Sequence, residues 1–347
     1  MEIKIRHILL LLSGCILCAC HNGDISFDDY ERQTVYFPYQ YPVRTLSLGN
    51  DTVDNSLDLA HEFNIGICVG GYYGNSKQDW AVDYTVDESM VSGNLENAAG
   101  DLLKPLPASY YTLDPPGQVT IKKGTSAGLI RVHLTDEFFD DPLALKGCYV
   151  IPLRITAAQS PLEILDGTAG PNITDPNRHD PADWEKTPMD YTLFGIKYVN
   201  KFHGHWLRRG LITERDGSGA ILSRISYHHI EREYDEIIEI KSVSLNSFTV
   251  SLQNSGNHLD IKATDDGSDY LDIESLPTSD FKVNTGSGLY RRGSERWGGT
   301  PEKPTKRDGI YLNLFYKNAA GHQCEVSDTL VFRDRGIVFE NARPTLK

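Results

Sequence analysis

The chain is predicted to be all-β, an immunoglobulin-like β-sandwich followed by an antiparallel β-barrel, and three observations carry that prediction. Apolar and polar residues alternate with period two along most of the chain, turn-forming clusters punctuate the alternation, and helical periodicity is scarce. The clearest helical candidate, Asp136–Leu145, is short. A length of 347 residues suits about two domains, and 39% hydrophobic with 10% aromatic residues supplies real cores.

The first twenty residues are expected to be a targeting segment. Lys4, Arg6 and His7 precede an apolar run from Ile8 to Ala19, the layout of a secretory signal rather than a membrane anchor. Leu12-Ser13-Gly14-Cys15 and Leu17-Cys18-Ala19-Cys20 both resemble the site of lipoprotein signal peptidase, with an aliphatic residue at −3 and a small one at −1. Cleavage before Cys15 would leave an apolar segment below the usual ~7–15 residues. Cys20 is therefore the expected lipidated residue, and residues 1–20 the lipoprotein signal peptide.

Residues 21–200 read as the sandwich domain. Phe63, Ile65, Ile67 and Val69 alternate with Asn64, Gly66, Cys68 and Gly70, as one half-buried strand requires. The same pattern runs through Val82/Tyr84/Val86, Ile130/Val132/Leu134 and Tyr149/Ile151/Leu153/Ile155. Between 158 and 188 five prolines and many aspartates interrupt it, so that stretch reads as an excursion. Tyr191–Val199 then resumes as the last strand of the domain.

Residues 201–347 read as the barrel. Its strands are expected at Leu207–Ile212, Ile221–His228, Glu236–Leu245, Phe248–Leu252, His258–Thr264, Tyr311–Tyr316 and Thr329–Phe332, with tight turns such as Leu245-Asn246-Ser247-Phe248. Past Cys20 only Cys68, Cys148 and Cys324 remain. An odd count is no disulfide framework, and Cys68 and Cys148 are either a pair or two buried thiols.

Charge excludes some functions. The formal charge is −14, which argues against nucleic acid as a partner because phosphate neutralisation needs a basic surface. Beyond the N-terminus no stretch approaches the ~20 apolar residues of a spanning helix, so a lipid anchor is the expected membrane link. Residues 21–200 carry net −14 and residues 201–347 net −1. Inside the second half, Tyr290–Arg307 is locally basic, with Arg291, Arg292, Arg296, Lys303, Lys306 and Arg307 against Glu295 and Glu302.

Two motifs imitate catalytic ones. Gly124-Thr125-Ser126-Ala127-Gly128 matches the G-x-S-x-G nucleophile elbow, but that elbow joins a strand to a helix, and here strand-like segments flank it, as in a hairpin turn. Asp266-Gly267-Ser268-Asp269-Tyr270-Leu271-Asp272-Ile273-Glu274 approaches the acidic signature of family 18 glycoside hydrolases with one extra residue. On a strand that insertion puts Asp269 on the face opposite Asp272 and Glu274, leaving a solvated acidic turn. His203 and His205, and the pair His228-His229, lack companions with ligand spacing, so no metal or other cofactor is expected. The chain reads as a non-enzyme.

Trp297 stands out among the aromatics. It lies in Arg291–Thr300, a glycine-bearing segment without strand period, expected to be a loop. Sugar rings offer apolar C–H faces and hydroxyl edges, which an exposed aromatic and planar donors recognise together. Trp297 and Tyr290 with Arg291, Arg292 and Arg296 are therefore the candidate carbohydrate-binding residues, and the arginines also suit carboxylated or sulfated sugars. Tyr72, Tyr73 and Trp80 are a candidate second platform.

Gly204-His205-Trp206 resembles the G-x-W motif on the first strand of lipocalin-like barrels. The resemblance implies that Trp206 plugs the closed end of the barrel, with Arg333 or Arg335 packed on its indole by a cation–π contact. Val35-Tyr36-Phe37-Pro38-Tyr39, Leu106–Leu113, Leu134–Phe139 and Tyr149–Ile155 resemble the N-terminal β-sandwich of Bacteroidota surface lipoproteins, a domain that also precedes family 18 endo-β-N-acetylglucosaminidases in polysaccharide-utilisation loci. Leu330–Ile337 resembles the end of the lipocalin-like domain that partners it. Asp24, Asp28, Asp29 and Glu31 similarly resemble the surface-export signal of such lipoproteins. The resemblance implies a surface-exposed, outer-membrane lipoprotein that binds glycans without catalysis. The alternative is a structural or adhesin-like subunit contacting proteins of an outer-membrane uptake complex.

Overall fold

The computed structural model of the protein describes residues 27–346 apart from 52, 92, 255 and 301. The expected signal peptide and Cys20 lie outside the described residues. Strands hold 54% of the chain and helices 8%, the all-β class that the alternation implies. Among the described residues no helix is long and apolar enough to cross a membrane.

The first domain is two sheets packed face to face. One has the order Glu163–Ile164, Thr34–Tyr36, Glu62–Gly70, Ala127–Leu134, Tyr111–Asp114. The other runs Glu340–Asn341, Pro42–Ser47, Tyr191–Val199, Tyr149–Ala158, Trp80–Val86, Gln118–Ile121, with Lys104–Pro105 beside Tyr149–Ala158. Phe63, Ile65 and Ile67 point inward from the first sheet and meet Val82, Tyr84, Ile151 and Leu153 of the second. Phe63 stacks on Phe194 across the gap, with ring centroids 5.4 Å apart. The short helix Asp136–Asp140 and the 3-10 turn Pro142–Leu145 bury Phe138, Phe139 and Ala144.

One expectation is corrected here, and one alternative is decided. Gly124–Gly128 is no hairpin turn: Gln118–Ile121 pairs with Trp80–Asp83 in one sheet, and Ala127–Leu134 pairs with Glu62–Cys68 in the other. The glycines carry the chain over the sandwich edge, with Gly124 at φ +83°. Cys68 and Cys148 are both free thiols, as is Cys324.

The second domain is a closed antiparallel barrel with eight strand positions. Gly204–Arg215 pairs with Gln323–Asp334 from His205↔Asp334 to Arg215↔Gln323, which closes the cylinder. The second position is split. Ile221–Tyr227 pairs with residues 210–215 of the first strand and Glu236–Ser242 with residues 204–208, so residues 228–235 leave the wall as an excursion. Ser247–Asn254, Asn257–Asp265, Tyr270–Ser275, Val283–Thr300 and Lys303–Lys317 complete the circuit.

Side chains fill the barrel. Trp206, Phe202, Phe248, Leu259, Ile261, Leu312, Val326 and Leu330 pack inside it. In their midst lies an ion pair with no solvent exposure on either side chain: Arg208 Nε donates to Asp328 Oδ2 at 2.7 Å. Arg208 also donates to Asn254 Oδ1, the Gln253 carbonyl, Glu236 and the Tyr227 hydroxyl, and that hydroxyl donates to Asp328. Burial raises the Asp328 carboxyl, while the guanidinium beside it pulls the other way. Gly210 makes room for the pair, since a Cβ there would sit 2.3 Å from Asp328 Oδ1.

Arg291–Thr300 is a strand and not the expected loop. Val283–Thr300 pairs with Lys303–Lys317 from Val283↔Tyr316 out to Thr300↔Lys303. Its other neighbour, Tyr270–Ser275, stops at Leu289, and the pairing of Lys303–Lys317 with the last strand stops at Gly309. The outer part is thus a two-stranded arm reaching past the wall. Bulges between Arg291 and Glu295 and between Arg296 and Gly299 erase the period of two, with Gly293, Gly298 and Gly299 at positive φ.

After the last barrel strand the chain returns to the sandwich. Glu340–Asn341 pairs with Pro42–Val43, and Thr345–Leu346 pairs with Leu95–Glu96.

Candidate functional site

The concave surface of interest lies where the domains meet, and one arginine organises it. Arg335, just past the last barrel strand, is 4% exposed. Its Nη1 donates to the carbonyls of Lys201 and His203 in the barrel, and its Nη2 to the carbonyl of Asn50 in the sandwich. Burial pulls its pKa down, while Asp51, Tyr290 and Asp308 oppose that shift. Gly49 is required beside it, because a Cβ there would meet Arg335 Nη2 at 2.0 Å. Lys201 completes the joint: its ammonium bonds Asp265 at 2.7 Å and Asp269 at 3.0 Å. The decoy acidic turn therefore anchors a lysine, while Asp272 and Glu274 point outward from the strand that follows.

Beside this joint is a cleft of about 600 Å³, within the range of small-ligand sites. Its walls include Arg44, Asp51, Asp54, His205, Asp334 and Arg335. His205 Nδ1 lies 2.7 Å from Asp334 Oδ1, and Arg44 pairs with buried Asp58 at 2.5 Å.

The arm meets the same region at its base. Arg292 Nη2 donates to Asn50 Oδ1 at 3.3 Å. Arg307 stacks on the Trp297 ring at 5.1 Å, donates to the carbonyls of Trp297 and Arg333, and has its charge partly supported by Asp334 and Asp51. Arg232, from the excursion at 228–235, props the arm through Glu295 at 2.7 Å and the Arg296 carbonyl.

The expected site residues thus fall into three groups. Trp297 is half-buried, and Arg291, Arg292 and Arg296 are exposed on the same arm. Tyr290 is 4% exposed, so it is no surface platform. Its side chain points into the barrel, where Lys201 lies over the ring and its hydroxyl donates to Asp308 at 2.6 Å. Trp80 is likewise buried at 2% exposure, whereas Tyr73 is exposed.

Trp206 is fully buried, and its indole N–H donates to the Phe202 carbonyl at 2.8 Å. The expected cation–π contact on it is replaced by a relay. Arg335 lies 4.2 Å from the Phe332 ring, and Phe332 meets Trp206 edge-on at 5.4 Å. Arg335 is drawn away by the carbonyls at the joint, and Arg333 contacts Asp334 instead of the indole. His203 accepts the Ser242 N–H, and burial beside Arg335 pushes its pKa down to about 4. Among the described residues no three His, Cys, Asp or Glu side chains gather to hold a metal ion.

The sequence reading missed Arg307, Asn50 and the cleft itself. Arg307 was visible as part of the basic window. Nothing local marks Asn50 or Asp51, whose importance comes from a contact nearly 300 residues away along the chain.

Comparison with known proteins places these observations in a family. A model described as an N-terminal domain matches residues 30–162, and the domain of unknown function DUF5627 matches residues 201–336. A crystal structure from Bacteroides ovatus, of unknown function, is 32% identical, covers 92% of this chain and 100% of its own, and superimposes with a TM-score of 0.79. A multidomain protein including DUF1735, also from Bacteroides ovatus, is 13% identical over 91% of this chain and 100% of its own, with a TM-score of 0.41. An auxiliary nutrient binding protein from Bacteroides thetaiotaomicron is 13% identical over 84% of this chain and 90% of its own, with a TM-score of 0.37. No curated protein matches the chain.

Proposed function

We propose a glycan-binding role for this chain, which belongs to the family of the 32%-identical Bacteroides ovatus protein and carries DUF5627 as its second half. It is a non-catalytic surface lipoprotein of a polysaccharide-utilisation system, tethered to the outer membrane through Cys20, with the barrel arm as its binding element. The observation behind this reading is the arm itself: a half-buried indole with Arg307 on its face and Arg291, Arg292 and Arg296 exposed on the same strand. Guanidinium groups next to an aromatic plane suit a sugar that carries carboxylate or sulfate groups. A non-catalytic role is supported by the placement of both decoy motifs, one on an inter-sheet crossing and the other split between a lysine anchor and an outward face.

The test is a glycan array probed with residues 21–347, including sialylated and sulfated structures, followed by titration of the hits. Affinity is expected to fall at least tenfold in a Trp297→Ala, Arg292→Ala variant. Unchanged affinity for a confirmed hit would remove the arm from the proposal. A second reading, a structural subunit that binds proteins of an outer-membrane uptake complex, draws on the net charge of −14 over residues 21–200, which steers basic partners. A blank array with a partner co-purifying through the sandwich would favour it.

A further inference from the structure

The return of the chain to the sandwich builds a second surface, separate from the arm. The pairs Pro42↔Asn341 and Val43↔Glu340 fix the backbone beside Phe339 and bring its ring to Tyr39, with centroids 5.1 Å apart and planes 58° apart. Phe339 is 67% and Tyr39 47% exposed, so two aromatic faces are held toward solvent by strand pairing. They border a depression of about 260 Å³ that shares Arg44, Thr45, Ile337 and Val338 with the interdomain cleft of about 600 Å³. One groove therefore runs from the aromatic pair to the Arg335 joint.

The polar groups along that groove have a defined character. Asp51, Asp54 and Asp334 line the cleft as acceptors, and Arg44 and His205 add hydrogen-bonding edges. Arg335 lines it too, and its buried Nε–H has no hydrogen-bond partner among the described residues.

We propose that this groove binds an uncharged oligosaccharide, with Tyr39 and Phe339 stacked against a pyranose ring and the cleft walls accepting its hydroxyl protons. Four aspartates against two arginines line the cleft, an acidic balance that disfavours a sialylated or sulfated chain, the opposite preference to that of the arm. The exposed apolar part is two rings and the neighbouring Val338, small beside the ~1,200–2,000 Å² that a stable protein interface buries. Rings already held in place lose little freedom on binding, which favours a rigid sugar face. This inference rests on the reading of the protein as a carbohydrate binder but uses none of the residues of the arm.

Isothermal titration of residues 21–347 with cellotetraose, mannotetraose, chitotetraose and galactotetraose tests it. At least one of these uncharged probes is expected to bind. Its affinity should fall about tenfold in Phe339→Ala and in Tyr39→Ala, and change less than about twofold in Trp297→Ala. Both rings are exposed, and thermal melts and light scattering of each variant check folding and association state. Absence of binding by all four probes overturns the proposal, as does equal binding by the wild type and both ring variants. If Phe339→Ala instead dissociates a dimer without affecting the sugars, the patch is a self-association surface and the proposal fails. Loss of array hits in the Trp297 variant, with these titrations intact, would sustain both sites; loss of both in that variant would remove the groove and leave the arm.

Discussion

Arg335 and Asn50 lie 285 positions apart, yet the guanidinium donates to the Asn50 carbonyl at 2.8 Å while holding two barrel carbonyls with its other nitrogen. One side chain thus ties the last turn of the barrel to a loop of the sandwich. Replacing it by Met leaves three carbonyls short of a donor. The expected loss is about 3–5 kcal/mol of unfolding free energy, read by urea denaturation, with a broader distribution of shapes in small-angle scattering. Gly49→Ala should reproduce part of this, because its Cβ would fall on Arg335 and within 2.9 Å of the Lys201 Cα. A Met variant with wild-type stability and scattering would show that the domains hold together without the arginine.

The arm carries a charge prediction. Changing Arg291, Arg292 and Arg296 together to Ser should weaken binding of sulfated or sialylated array hits at least tenfold and flatten its dependence on salt, because exposed ionic contacts are screened. Tetrasaccharides without charge should be unaffected. Equal losses for both classes would mean that the arginines shape the arm rather than meet an anion.

The buried pair in the barrel predicts an asymmetry between single and double variants. Asp328→Ala removes the fully buried partner of Arg208 and leaves it only the half-exposed Glu236 as a counter-charge, at an expected cost of about 3–5 kcal/mol. Arg208→Met with Asp328→Leu removes both charges and should cost less than either single change. Thermal and denaturant unfolding of the three variants decides it; a double variant less stable than both singles would show the pair to be a net stabiliser.

His203 sets an acid limit. Its pKa is pushed down to about 4 in the folded protein, against an ordinary value of 6.5. Between those values the unfolded chain binds the proton and the native one does not, so stability falls as pH drops through that window and is full above it. The loss should reach about 1–3 kcal/mol by pH 4 and be largely absent in His203→Gln. Parallel acid limbs for the two proteins would assign the effect to other groups.

Much of the fold was legible because burial writes itself into period two. Phe63, Ile65 and Ile67 face one core, and Leu259, Ile261 and Ala263, every second residue of their strand, face the other. The failures share a cause as well. Arg291–Thr300 lost its period to two bulges and three glycines, so a strand looked like a loop. Tyr290 sits on the boundary, the last inward residue before the arm, and adjacent arginines gave it the look of a surface group. Gly124–Gly128 shows that a turn can be read locally while the partners of its flanking strands cannot.

The candidate surfaces were less legible still. The basic cluster was visible as composition, and Trp297 as an aromatic within it. The groove was not, because Tyr39 and Phe339 become neighbours only through strand pairing between residues 300 positions apart. Contacts of that range leave no pattern in any short window.

That same pairing orders events during synthesis. The sandwich strand at Pro42–Ser47 takes an edge partner, Glu340–Asn341, which the ribosome delivers only after the whole barrel sequence. A nascent first domain therefore waits with that edge unpaired, and the aromatic ledge comes into being last. The barrel is enclosed between the parts of a domain it does not belong to, and its own closing strand, which ends at Asp334, precedes the residues 340–346 that complete the sandwich.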